Sequence, residues 1–240
     1  MRKKIPSGLF LSVVSVCIIL WGLSLSTLEV QADPIIDFGL VAPTGGTISY
    51  AGGAAPLLGT NIQVDNVVGL DTPDHNGWLR NLYGGSLDFN SGDLSGSDAT
   101  HWTFGSGGSI TLTGGVDLDN DGSIGLGDIP LGTTLLSGTF NSAEIIAFGS
   151  TFKIAGASFS DAKNGQLADF YGLTSPLYSG NFNISFVASG IPPNGFQSST
   201  VLGGDVANSP VQVPEPASLM LVGSGIIAMA TKARTRRIKK

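Results

Sequence analysis

At 240 residues with only 12% charged side chains, 35 glycines and 12 prolines, the chain is poorly suited to a helix-rich enzyme. Glycine loses the most backbone entropy on ordering and proline removes a donor, so both belong in turns between short strands. The net charge of −6 hides a partition: between Asp33 and Val213 lie 16 acidic residues (all 18 except Glu29 and Glu215) against Arg80, Lys153 and Lys163, a net of −13 that repels phosphates and excludes nucleic acid as a partner.

The chain opens with Arg2-Lys3-Lys4, followed from Leu9 to Leu25 by an apolar run broken only by Ser and Gly. A basic cap before an apolar core is the pattern of a secretory signal. Val30-Gln31-Ala32 places compact residues where a signal peptidase requires them, so cleavage is expected after Ala32. Residues 1–32 thus read as a signal peptide and 33–210 as an extracellular body. The sole cysteine, Cys17, lies in the leader. The body can form no disulfide, carry no thiol nucleophile and build no cysteine-ligated metal site.

Within the body, alternation of period two marks half-buried strands. In chain order the candidates are Asn61–Val68, Ser109–Val116, Leu135–Phe140, Glu144–Phe148, Thr151–Ala155 and Asn181–Val187. The last puts Phe182, Ile184 and Phe186 on one face and Asn183 and Ser185 on the other. Gly52-Gly53, Gly84-Gly85, Gly107-Gly108, Pro192-Pro193 and Gly203-Gly204 read as breaks between strands. Many short strands without a long 3.6-residue period predict an all-β body, an antiparallel sandwich or jelly roll.

One segment carries a possible metal chemistry. Asp117-Leu118-Asp119-Asn120-Asp121-Gly122-Ser123-Ile124-Gly125-Leu126-Gly127-Asp128 fits a twelve-residue calcium loop, with carboxylates at positions 1, 3, 5 and 12, Gly at 6 and an apolar residue at 8. Ca²⁺ takes six to eight oxygens, and alternate carboxylates on a tight turn converge on one point. The expected ligands are Asp117, Asp119, Asp121, Asp128 and the carbonyl of Ser123. The loop resembles that of EF-hands and dockerins, but it is single, and strand (Ser109–Val116) and a Pro130–Gly132 turn flank it instead of helices. It therefore reads as a solitary calcium loop between strands.

The C-terminal segment, 211–240, has three parts in order. Val213-Pro214-Glu215-Pro216 is stiff and extended, because two prolines two apart exclude helix. Ala217–Ala230 is apolar and rich in small residues, shorter than the roughly 20 residues that cross a bilayer core unaided. Arg234, Arg236 and Arg237, with the neighbouring lysines, form a basic stop that keeps this end cytoplasmic and the body outside.

This order resembles the PEP-CTERM sorting signal of Gram-negative bacteria, with Pro214, Glu215 and Pro216 as the motif, a C-terminal transmembrane sorting helix after it, and Arg234, Arg236 and Arg237 as the cluster. The resemblance implies recognition by an exosortase, a membrane transpeptidase-like enzyme. It further implies a chain anchored in the inner membrane, its body in the periplasm, and then sorted to the cell surface or extracellular matrix. An exopolysaccharide or biofilm setting, with polysaccharide as a partner, goes with that family; the bodies vary, so no activity is implied.

An enzymatic reading finds little purchase. His75 and His101 stand far apart, and no Gly-x-Ser-x-Gly elbow accompanies the serines. Asp71 with Asp74, or Asp161 with Asp169, offers carboxylate pairs of the glycosidase kind without a diagnostic spacing. Trp78, Tyr83 and Trp102 are candidates for stacking on sugars. The expectation is a non-enzymatic adhesion or matrix protein, the alternative a secreted polysaccharide-active hydrolase on a β fold.

Overall fold

The structure, a computed structural model, describes residues 32–211. They form an all-β, antiparallel body of ten strands joined in one hydrogen-bonded sheet: β1 (Ile35–Leu40), β2 (Thr47–Tyr50), β3 (Pro56–Leu70), β4 (Leu79–Ser97), β5 (His101–Phe104), β6 (Ser109–Val116), β7 (Ile129–Phe148), β8 (Thr151–Lys163), β9 (Tyr178–Ala188) and β10 (Phe196–Pro210). One short helix, α1 (Gly165–Phe170), joins β8 to β9.

The pairings return to their starting point. β1 and β2 share the slot between β10 and β3: Ile36 faces Asn208, Ile35 faces Leu70, and Tyr50 faces both Phe196 and Leu57. β5 and β6 share the slot between β4 and β7 in the same way, Trp102 facing Ser97 and Ile145 while Leu112 faces Leu87 and Leu136. Each of these pairs is one interrupted strand. Counted so, eight strands follow one another around a ring in chain order, and β10 pairs with β1. The body is therefore an up-and-down closed barrel, with no long unpaired edge open to another chain. The expected two-sheet sandwich or jelly roll is corrected to this single closed sheet, because a meander of long strands that twists fully round needs no crossover between sheets.

Local sequence dictates which residues face in. In β9, Tyr178, Phe182, Ile184 and Phe186 are buried while Ser179, Asn181, Asn183 and Ser185 point outward. An eight-stranded barrel has an interior about wide enough for side chains to fill. Aromatic rings fill this one: Phe89 packs on Phe182 with centroids 5.0 Å apart, and Trp102, Phe152 and Phe186 surround Phe196 at 5.2, 5.3 and 5.8 Å. Gly59 leaves the space for Phe89, whose ring a Cβ there would strike. Two glycine pairs expected as breaks lie inside strands instead. Gly84 (φ +61°) and Gly203 (φ +115°) sit at register shifts of β4 and β10, where a bulge lets a long strand bend around the barrel. Likewise Pro130–Gly132 is the irregular start of β7 and not a turn.

Connections alternate between two rims. Residues 51–55, 98–100, 149–150 and 189–195 close one rim; residues 71–78, 117–128 and 164–177 close the other. Because the strand count is even, the chain also enters at Pro34 and leaves at Val211 on that second rim, called here the terminal rim. It is covered by α1, capped by the Asn164 side chain, which accepts from the Leu167 N–H at 3.1 Å. Buried Tyr171 follows, its hydroxyl donating to the carbonyls of Trp78 (3.0 Å) and Val67 (3.3 Å). Burial pushes that phenol up to about 12 despite the nearby Arg80. Arg80 itself is buried, donates to the carbonyl of Leu118 at 2.9 Å and lies 4.8 Å over the ring of Trp78. It thereby ties β4 to the loop that precedes β7.

Inside the barrel, just beneath this rim, the Asp161 carboxylate accepts from the Lys163 ammonium and from the Asn208 amide at 2.7 Å. Desolvation drives Lys163 down to about 8 and raises Asp161, each resisted by the opposite charge of the other. Removing one member leaves an uncompensated charge in the core. Urea unfolding of Asp161→Leu is expected to show a loss of about 3–5 kcal/mol, with most of it regained in Asp161→Leu/Lys163→Met. An additive double variant would contradict the coupling.

On the outer face of β1, Asp37 is partly buried, has a side-chain oxygen without a partner and lies near Asp205. Desolvation, then the Asp205 charge, pushes it up to about 6 from 3.8. The neutral acid is thus favoured by the fold, so this group's contribution is full below its unfolded pKa and is lost as pH rises through about 6. Asp37→Asn is expected to stabilise on the order of 2 kcal/mol at pH 8 and to be neutral near pH 3, read as melting temperature against pH. Equal gains at both pH values would contradict it.

Candidate functional site

The acidic loop leaves β6 at Val116 and enters β7 at Ile129, on the terminal rim. Asn120 (φ +62°) and Gly122 (φ +92°) turn the chain sharply enough to bring separated carboxylates together. Asp117, Asp119 and Asp128 each place an oxygen within 4.8 Å of the other two. Asp117 is fully buried and Asp128 nearly so, whereas Asp119 is exposed.

Each of these carboxylates is held by backbone donors. Asp117 accepts from the N–H groups of Asp121 (3.1 Å) and Gly122 (2.9 Å), and Asp128 from those of Gly125 (2.7 Å) and Leu118 (2.8 Å). The Gly125 N–H, followed after opposing desolvation by those of Leu118 and Asp119, holds Asp128 below the ordinary carboxylate range. Asp119 behaves oppositely. The Asp121 N–H favours its charged form, yet desolvation and the charges of Asp121 and Asp128 outweigh that bond and raise its pKa. Two anchored carboxylates beside a third that resists ionisation form a set that a cation would relieve.

The structure brings some of the expected ligand residues together and not others. Asp117, Asp119 and Asp128 converge; Asp121 and Ser123 do not join them as expected. Asp121 is exposed, and one oxygen of its carboxylate accepts from the N–H (2.9 Å) and hydroxyl (2.8 Å) of Ser123. Two contacts that the motif did not signal brace the loop. The Tyr83 hydroxyl donates to the Gly122 carbonyl (2.8 Å), and the Gln166 amide donates to that of Gly127 (2.8 Å), so the loop is tied to β4 and to α1.

The other candidates are dispersed. His75, on the terminal rim, stacks on Phe170 at 4.0 Å, while His101 lies at the opposite rim and pairs with Asp98 at 2.8 Å. Asp161 is committed to Lys163 inside the barrel, and Asp169 lies on α1. Trp102 is fully buried; Trp78 is half exposed. Ala32, the expected cleavage residue, is exposed at the start of the described chain. Val213, Pro214, Glu215 and Pro216, Arg234, Arg236 and Arg237, the expected signal peptide and the expected transmembrane segment all lie outside the described residues. Among those described, no helix is long and apolar enough to cross a membrane.

Residues 212–237 match the PEP-CTERM protein-sorting motif. Neither a search of curated proteins nor one of solved structures finds a match to the chain. That motif is a signal for export, membrane anchoring and exosortase-mediated processing in Gram-negative bacteria.

The loop's dependence on Asp128 is testable without any ligand. Asp128→Asn places an amide donor against an N–H of the loop, so its melting temperature in chelator is expected to fall below the parent's at pH 7. That deficit shrinks as acid protonates the parent's carboxylate below the usual Asp range. A deficit independent of pH would show that the carboxylate charge is not what holds the loop.

Proposed function

We propose that this chain, exported and sorted through residues 212–237, serves as a non-enzymatic surface or matrix-associated protein whose barrel is stabilised by one Ca²⁺ and acts by adhesion. The observation that carries the reading is the sorting motif, which starts two residues after β10 ends at Pro210. A sorted chain is delivered to the periplasm, and thence to the cell surface or matrix, with the barrel as the part on display. The properties of the barrel suit that role. Its interior is packed with rings, its outer face carries Asn, Ser, Thr and Asp, and its two histidines sit on opposite rims.

Asp117, Asp119 and Asp128 are the residues that would hold the ion, with Asp121 joining by release from Ser123. The ion would supply charge neutralisation at a rim where three carboxylates crowd. Because binding to the folded state alone raises apparent stability by mass action, Ca²⁺ is expected to lift the melting temperature of the chelator-treated protein. Asp119→Ala/Asp128→Ala abolishes that rise, while Asp121→Ala only reduces it. No rise in the parent would end the calcium reading. For the adhesive role, incubation on an array of exopolysaccharides is expected to give retention without release of reducing ends. Product release would favour a polysaccharide-active hydrolase instead.

A further inference from the structure

Exposed apolar side chains are unevenly placed on the barrel. Among the described residues, Leu70, Trp78, Leu79, Leu126, Leu131 and Leu177 all stand on the terminal rim, and Val211, where the chain leaves, is exposed beside them. Among large apolar residues the opposite rim exposes Leu58, Phe148 and Ile191, and the wall between the rims Val41 and Leu202. Leu126 is fully exposed, at the outer bend of the acidic loop, and Trp78 and Leu79 are half exposed where β4 begins. A soluble domain gains nothing by holding large apolar residues in water, and such a concentration marks an interaction surface.

The path of the chain says what the surface meets. Val211, the last described residue, lies on the terminal rim, and the apolar stretch of the sorting tail starts at Ala217. The five residues 212–216 between them span roughly 17 Å at full extension. A tail seated in the membrane therefore tethers the terminal rim, where Val211 leaves, within about that distance of the lipid interface. Tethering at this range makes even weak apolar contacts effective, since the second contact is intramolecular. Leucines with a Trp whose one end is polar are the side chains that settle at a lipid headgroup boundary.

We propose that the terminal rim is a lipid-docking face: while the tail is attached, the tips formed by Leu126, Leu177, Trp78 and Leu79 insert into the interface of the membrane that anchors it. The barrel then stands upright, with the loops at 51–55 and 189–195 farthest from the lipid. The carboxylates of the same rim restrict the lipid class. Asp71, Asp74, Asp169 and the acidic loop repel anionic headgroups within a screening length of about 8 Å, so the face suits zwitterionic lipid. The docking uses apolar contacts and does not depend on the calcium reading.

The test uses the full chain with Cys17→Ser, carrying either Leu126→Cys or Ala54→Cys, each labelled with an environment-sensitive dye and reconstituted in phosphatidylcholine vesicles containing nitroxide-labelled lipid. Both positions are exposed, so folding is preserved and is checked by the melting temperature. The label at 126 is expected to be quenched several-fold more than the label at 54, in chelator as well as in Ca²⁺. Adding Trp78→Asp and Leu177→Asp to the Leu126→Cys chain is expected to cut its quenching at least by half. Equal quenching at the two rims, or quenching at 126 that survives the aspartates, would overturn the proposal. Quenching at 126 that appears only with Ca²⁺ would overturn it equally, by making the contact an ion-dependent one.

Discussion

The hydrogen bonds that β1 makes on both sides, to β3 through Ile35–Gly39 and to β10 through Ile36–Leu40, convert a long meander into a ring. Ten strands left open would expose backbone donors and acceptors along two edges and leave the aromatic face uncovered. Closed, the same strands satisfy one another, and Phe89, Phe140, Phe159 and Phe182 meet across the interior at 5.0 to 6.4 Å. Closure also fixes direction. An even number of strands returns the chain to the rim where it began, so the exit at Val211, the acidic loop and α1 share one end of the barrel.

That shared end is where the polar residues with the largest energetic consequences gather. Arg80 binds the Leu118 carbonyl, Tyr171 reaches across to Val67 and Trp78, and Asp161 with Lys163 lies just inside. The opposite rim has simpler means: three short turns, and one loop pinned by the Trp102 indole, which donates to the Asn194 carbonyl at 3.1 Å. A buried charged lining at one end and an aromatic plug at the other give the barrel a polarity along its axis. The proposed roles of the terminal rim, in cation binding and lipid contact, both draw on that polarity.

Much of the strand content was legible because alternation is a local signal. β6 and β9 stand where their period-two pattern places them, and Asn61–Val68 lies wholly within β3. β7 reads as two strands, since Asn141–Glu144 carries register shifts that interrupt the alternation without ending the pairing. β4 and β10 were hidden by Gly84-Gly85 and Gly203-Gly204, because a glycine at a bulge and a glycine at a turn are the same letter. Ring closure was not legible at all: Asp37 meets Ala207 only through three-dimensional twist. In the loop, the spacing located Asp117, Asp119 and Asp128, but the capture of Asp121 by Ser123 depends on competing local hydrogen bonds that spacing does not encode. The tail, by contrast, was legible in full as a motif, since order and position alone define it.

The seam between β1 and its two neighbours can be examined directly by amide hydrogen exchange resolved residue by residue. In a strand paired on both sides, successive amides point to alternate neighbours and all are protected; in an edge strand, every second amide is open to water. The closed barrel predicts slow exchange at consecutive positions from Ile36 to Gly39, comparable to β8 at the far side of the ring. Fast exchange at alternate residues of β1, with β10 or β3 equally open along the facing side, would show an open sheet and remove the basis for placing the exit at Val211 and the acidic loop on one rim.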